Sequence, residues 1–327
     1  LDLRKTAMIV LGLIAVVLCY FTFVSAGEAF RADWPLPRAL DEQQARYRLL
    51  LITQELETPF WNKVGDGALE QAKKVDANLQ VWGSYGRNED DFLKKIEIAI
   101  TSKVDGIIVQ GLDTAEFKEL TKIQAGLYGI PVITVANDVP MQESLRRTYV
   151  GSDHYSAGRM IGRELAADMG PAGTVVLIGD SRQQYYQKQR LDGIQNVLKN
   201  YPDIVTVYAE TADARESVIA AAGDVMNRFP DTDAFIAVNA NIVEALVQAI
   251  GKRFQIKPYH IYSFDDSPES LSLLKEGKLD GMIEQSPEVM GRLSVDLMVK
   301  WLNGETIPLD MNGYYTDIHM LKAMDAP

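Results

Sequence analysis

The sequence predicts an α/β protein with parallel sheets in two successive halves of similar size. Three observations carry that expectation. From Tyr47 onward, short β-branched runs alternate with helical stretches, the signature of parallel strands joined by crossover helices. Strand after strand ends on a polar residue: 132–136 runs into Asn137-Asp138, 235–238 into Asn239, 260–264 into Asp265-Asp266, and 281–283 into Glu284-Gln285. In an open parallel sheet the carboxyl ends of the strands are where ligands sit, so amides and carboxylates there point to a small molecule rich in hydroxyls. Finally, 327 residues give room for about two domains.

The elements follow in order. Residues 48–53 form the first strand, and 59–75 a helix with Val64, Ala68 and Ala72 on one face. A strand at 79–82 leads to a helix at 91–103, where Phe92, Ile96 and Ile100 recur every fourth residue. A strand at 105–109 leads to a helix at 116–127. Gly129-Ile130-Pro131 stops that helix and launches the strand 132–136. The second half repeats the scheme. Strands at 149–150, 173–178, 204–208, 234–238, 260–264 and 279–283 alternate with helices at 156–169, 185–200, 214–228, 242–251, 268–276 and 287–303. Ser267-Pro268 and Ser286-Pro287 each pair an N-cap residue with proline at the first helical position.

Ahead of these elements, residues 6–27 carry no charge and 7–24 are almost wholly apolar, with Arg4 and Lys5 before them. That length is at the threshold for crossing a bilayer, and the basic pair orients the rest of the chain outward. Three outcomes are compatible with the run, the first two favoured: an uncleaved transmembrane anchor, a signal peptide cut near Val24-Ser25-Ala26, or a buried helix of a soluble fold. Residues 1–27 are therefore the anchor or signal segment, and 28–46, with Pro35 and Pro37, a linker.

Composition excludes several classes. With 45 acidic and 33 basic residues the formal charge is −12, the wrong sign for binding nucleic-acid phosphates. Cys19 is the only cysteine, and His154, His260 and His319 are scattered, so no zinc-site spacing exists. No Gly-rich phosphate loop or nucleophile elbow is present. Asp265-Asp266 are neighbours in sequence and do not present two carboxyls across a glycosidic bond. The expectation is a binding protein without a cofactor, not an enzyme.

Six stretches carry a resemblance. They are Thr58-Pro59-Phe60-Trp61, Val104-Asp105-Gly106-Ile107-Ile108-Val109, Gly129-Ile130-Pro131-Val132-Ile133-Thr134, Val150-Gly151-Ser152-Asp153, Phe264-Asp265-Asp266-Ser267-Pro268 and Gln285-Ser286-Pro287. In that order and spacing, residues 48–322 resemble the type I periplasmic binding proteins of sugars, the ribose- and galactose-binding kind. Sugar-responsive repressors share this core, but carry a DNA-binding helix-turn-helix where this chain has an apolar run. The resemblance implies two Rossmann-like lobes joined by a three-segment hinge. The N-terminal lobe would be 47–152 plus 287–314, and the C-terminal lobe 153–286 plus 315–327, with the ligand between them.

The same resemblance implies the site. Phe60 and Trp61 would lay a ring against a sugar, or else pack in the core. Glu57 and Thr58 are placed to bond a hydroxyl, with Thr58 also suited to cap the helix. Asn239 and Asp265 would hold hydroxyls from the second lobe and Gln285 from the hinge; Asn241 and Asp266 are their neighbours. Lys188 and Arg190 stand where the family has Arg-x-Arg, which makes Lys188 the contact and Arg190 structural. Asp180, Arg182 and Gln183 share that loop. The departure is at Ala136-Asn137-Asp138, where many relatives have Asp-Arg. Asn137 replaces the arginine, and with Asp138 it joins the candidates. That loss leaves the ligand open among pentoses, hexoses, cyclitols and other polar molecules. The expected function is extracytoplasmic sugar binding with delivery to the permease of an ABC-type importer. The alternative is a membrane-tethered sugar sensor acting through a partner such as a histidine kinase.

Overall fold

The computed structural model describes residues 15–22, 46–86, 88–182, 184–212, 214–252, 259–264 and 267–323. Residues 15–22 are helical and exposed. The rest of the expected apolar span, 6–14 and 23–27, lies outside the described residues, as does 28–45 of the linker. Among the described residues no helix is long and apolar enough to cross a membrane. Residues 46–327 form a unit of their own.

Within that unit the strands are β1 (Tyr47–Thr53), β2 (Ala77–Gly83), β3 (Gly106–Gln110), β4 (Val132–Val135), β5 (Thr148–Gly151), β6 (Ala172–Asp180), β7 (Asp203–Thr211), β8 (Thr232–Ala237), β9 (His260–Phe264), β10 (Gly281–Glu284), β11 (Tyr314–Tyr315) and β12 (His319–Lys322). They build two six-stranded sheets, ordered β11-β5-β4-β3-β1-β2 and β12-β10-β9-β8-β6-β7. All neighbours are parallel except β10 with β12. The duplication of topology is thus real: each sheet starts on one strand, adds the next to one side, then reverses. The reversal leaves a crevice between β1 and β3 in the first sheet and between β6 and β8 in the second.

The helices are α1 (Pro59–Lys74), α2 (Glu89–Thr101), α3 (Ala115–Lys118, continuing through a π-helical stretch Glu119–Gln124 into Ala125–Leu127), α4 (Met141–Ser144), α5 (His154–Met169), α6 (Tyr185–Leu198), α7 (Arg215–Arg228), α8 (Ala240–Gly251), α9 (Pro268–Lys275) and α10 (Pro287–Leu302). They cover both faces of each sheet. Strand alternation sends Leu49 and Leu51 into a core with Val64, Ala68 and Met298, while Leu50 and Ile52 enter another with Phe92, Ile96 and Phe117. The second sheet has the same pair of cores, around Phe235 with Leu246 and around Ile161 with Ile194.

Two helix pairs pack at glycine distance. A Cβ on Gly67 would stand 2.1 Å from the Glu288 carbonyl oxygen, and one on Gly291 would stand 2.0 Å from that of Val64, so α1 and α10 touch backbone to backbone. In the other lobe, a Cβ on Gly158 would meet Arg190 O and one on Gly193 would meet Tyr155 O, each at 2.1 Å, which joins α5 to α6 in the same way.

The chain passes between the sheets three times: after β5, between β10 and α10, and between β11 and β12. The crossings are bonded to one another. Ser152 Oγ donates to Gln285 Oε1 at 2.5 Å, and Thr316 N–H to Gly151 O at 2.9 Å. Ser286 does not cap α10, contrary to its sequence pattern; its hydroxyl donates to Asp317 O at 2.9 Å on the neighbouring crossing. Ser267 does cap α9, accepting from Ser270 N–H.

Candidate functional site

The two reversals face one another across a cavity of about 530 Å3, lined from the first sheet by Gln54, Gln110, Gly111 and Asn137 and from the second by Asp180 and Asn239. Gln110 at the end of β3 organises the first half. Its Oε1 accepts from Thr53 Oγ1 and from Gln54 N–H, both at 2.8 Å, and so fixes two strand ends together. Asn137 reaches the cavity through a tight turn: its N–H donates to Val135 O at 2.7 Å around Ala136, which has φ 61°. A non-glycine residue there is strained, and such strain concentrates at sites whose surroundings enforce it.

Phe60 and Trp61 both line the cavity, edge to face with ring centroids 5.5 Å apart. Trp61 is also 4% exposed and belongs to the core beneath, so the two readings of this pair are compatible. Thr58 lines the cavity as the helix cap: its Oγ1 accepts from Trp61 N–H at 3.4 Å and donates to Glu55 O at 3.2 Å. Glu57 is exposed and outside the lining, where Glu55 stands instead.

Asn239 is 4% exposed, and neither its Oδ1 nor its Nδ2 has a hydrogen-bond partner. It directly precedes α8 but makes no capping bond. A buried amide left unpaired costs about 1–3 kcal/mol per group, so its place on the cavity wall is what accounts for it. Gln285 also lines the cavity, with its carbonyl held by Ser152. Asn241 is on the rim. Asp265 and Asp266 lie outside the described residues.

Two candidates have other partners. Asp138 is buried behind the wall in a two-bond pair with Arg146, Nε to Oδ1 at 2.6 Å and Nη2 to Oδ2 at 2.7 Å, and it also accepts from Thr134. The carboxylate is consumed there and does not line the cavity. Lys188 points outward and meets Asp113 of the first lobe at 3.1 Å. The residue that turns inward is Arg190, 3% exposed and in the lining. Its Nη1 donates to Val238 O at 2.8 Å and its Nε to His154 Nδ1 at 3.3 Å, and its guanidinium stacks 4.2 Å from Phe264 and 5.0 Å from Tyr186.

The lobes also touch at the exposed edge of the cavity, its mouth. Besides Lys188–Asp113, the Asp113 N–H donates to Gln184 Oε1 at 2.7 Å, and Arg182 approaches Glu89 at 3.7 Å. Burial raises the Asp113 carboxyl, but its bonds to Lys118 and Lys188 outweigh this and hold it below its ordinary value. Sequence reasoning passed over Gln54, Gln110 and Gln187. Gln110 obeys the polar strand-end pattern directly after Val109; Gln187 precedes Arg190 by one helical turn. Among the described residues no group of three or more metal-ligating side chains converges.

Residues 49–306 match the family model of the periplasmic binding protein domain. The chain belongs to that family. A periplasmic binding protein binds and does not transform its ligand, and the relatives this one matches carry such names. The ribose import binding protein RbsB of Bacillus subtilis is 22% identical over 257 residues, 79% of this chain and 82% of that one. Among solved structures, GanP, a glucose-galactose binding protein from Geobacillus stearothermophilus, superposes with a TM-score of 0.80 at 29% identity, covering 86% of this chain and 99% of GanP. The XylFII-LytSN complex shares the fold, with a TM-score of 0.74 at 23% identity over 85% of this chain and 98% of that one.

Proposed function

We propose that this periplasmic binding protein takes a small sugar or sugar-like polyol into the interlobe cavity, closes on it about the three crossings, and delivers it to the membrane permease of an ABC-type importer. The observation that carries the reading is Asn239, whose buried amide offers a donor and an acceptor to the cavity and bonds nothing in the protein. Such a pair suits vicinal hydroxyls. The Phe60–Trp61 rings supply the apolar face on which a sugar ring would lie. Asn137, Gln285 and Asp265 complete the proposed contacts, with the lobes divided at 152/153, 286/287 and 314/315. The protein works outside the cytoplasm, tethered by residues 1–27 or released by cleavage there. Glucose-galactose binding by GanP and the ribose import name of RbsB support the ligand class.

A thermal-shift screen of the purified protein against pentoses, hexoses and cyclitols tests this, because a ligand that binds only the native state raises its melting temperature. One or more stabilising sugars are expected; a flat screen overturns the ligand class. A second reading is favoured by the XylFII-LytSN complex, in which a relative of this fold is bound to another protein. In that reading the closed form signals to a sensor kinase. Loss of sugar uptake on deletion supports delivery. Intact uptake with loss of a sugar-dependent phosphorylation supports sensing.

A further inference from the structure

Gln187 is the third residue of α6 and only 1% exposed, yet it lines the cavity. Its Nε2 donates to Tyr186 OH at 3.1 Å, while its Oε1 is buried without a hydrogen-bond partner. The side chain is held in place. Arg190, three residues on and therefore on the same helix face, is clamped to Val238 O, the residue before Asn239. Tyr186 packs at 5.5 Å against His154 and stacks on Arg190. Gln187 and Asn239 thus line the same cavity from segments tied together through Arg190, Gln187 offering an acceptor and Asn239 both kinds of group.

We infer that Gln187 is a specificity-determining contact: its carbonyl oxygen accepts a hydrogen bond from a hydroxyl or N–H of the bound molecule. An ether, carbonyl or fluorine at that point leaves the buried oxygen unpaired, and sites built this way discriminate strongly against analogues lacking the donor. The inference rests on the proposed polyol reading and adds the polarity of one subsite.

The test uses the full chain, wild type and Gln187→Met, an unbranched apolar replacement. D-ribose, L-arabinose, D-galactose, D-glucose and myo-inositol are ranked by thermal shift, and the best is titrated calorimetrically beside its single deoxy and deoxyfluoro derivatives. Wild type is expected to lose about tenfold or more in affinity for both derivatives at one position. Q187M should bind the parent sugar about tenfold more weakly and no longer distinguish it from that deoxy derivative. Without sugar, its melting temperature should fall by no more than loss of the one Nε2–Tyr186 OH bond costs, since the oxygen removed with it is unpaired. Wild-type affinity in Q187M, or parallel losses for every derivative, overturns the inference. So does a fall of several degrees in the unliganded melting temperature, more than loss of the one Nε2–Tyr186 OH bond costs, which would show the oxygen paired within the protein. Failure of all five sugars to shift wild type instead overturns the polyol reading, and the unliganded Q187M melt still decides whether the oxygen is unpaired.

Discussion

At the residue scale, the partners of His154 fix its tautomer. Arginine only donates, so Nδ1 must hold the lone pair facing Arg190 Nε, and Nε2 carries the proton toward Ala136 O at 2.9 Å. Burial first, and the nearby Arg190 charge second, push the imidazole down to about 3. The unfolded chain takes up that proton below about 6.5 while the native state refuses it, so stability is whole above that pH and declines as pH falls toward 3. The slope from this group approaches about 1.4 kcal/mol per pH unit within the window. Urea unfolding of wild type and His154→Gln at pH 7, 6, 5 and 4 should show a shallower acid decline in the variant; parallel curves would refute it. Asn239→Leu should bind the best panel sugar at least tenfold more weakly without lowering the unliganded melting temperature. Arg146→Met leaves the buried Asp138 without a cation and with the Thr134 hydroxyl as its remaining side-chain partner, and should cost about 3–5 kcal/mol in denaturant unfolding, among the largest single-residue losses in the first lobe.

At the element scale, the glycine contacts decide which residues reach the cavity. Because Gly158 and Gly193 press α5 onto α6 backbone to backbone, the rotation of α6 is fixed, turning Gln187 and Arg190 inward and Lys188 outward. Gly158→Ala forces a methyl against a carbonyl that cannot retreat and should cost about 1–3 kcal/mol, measurable as a lowered melting temperature. This contact also explains what the sequence could and could not disclose. Periodicity and turn chemistry are local, so the alternating elements, the Thr58 cap with Pro59 and the polar ends of β8 and β10 were legible. Helix phase is set by a partner thirty-five residues away in the chain, Gly158 against Gly193, so nothing in the run Gln187-Lys188-Gln189-Arg190 marked its inner side. Asp138 has partners the local pattern did not mark: Arg146 sits just ahead of β5, and the Met311 carbonyl that anchors that arginine comes from far downstream. Ser286 looked like a cap because its competitor for the hydroxyl, Asp317, lies on another crossing.

At the scale of the whole molecule, the mouth contacts tie the two lobes to one another. The Lys188 side chain is 50% exposed, so its pair with Asp113 belongs with surface ion pairs worth about 0–1 kcal/mol. Lys188→Ala should therefore weaken sugar affinity by no more than about 5-fold, and the deficit should vanish at about 1 M salt, where screening is nearly complete; a large, salt-independent loss would point to direct ligand contact instead. Small-angle scattering should find a smaller radius of gyration with saturating sugar than without. The glycine-joined pairs give that motion its character. Phe60, Trp61 and the turn from Gln285 into α10 ride on one pair, while His154, Gln187 and Arg190 ride on the other. Within each pair the helix backbones are in contact, which leaves no room for one helix to sink closer onto the other. In the proposed closure, the girth of the guest would set the angle between the two lobes, and a neighbour could read that angle without ever touching the guest.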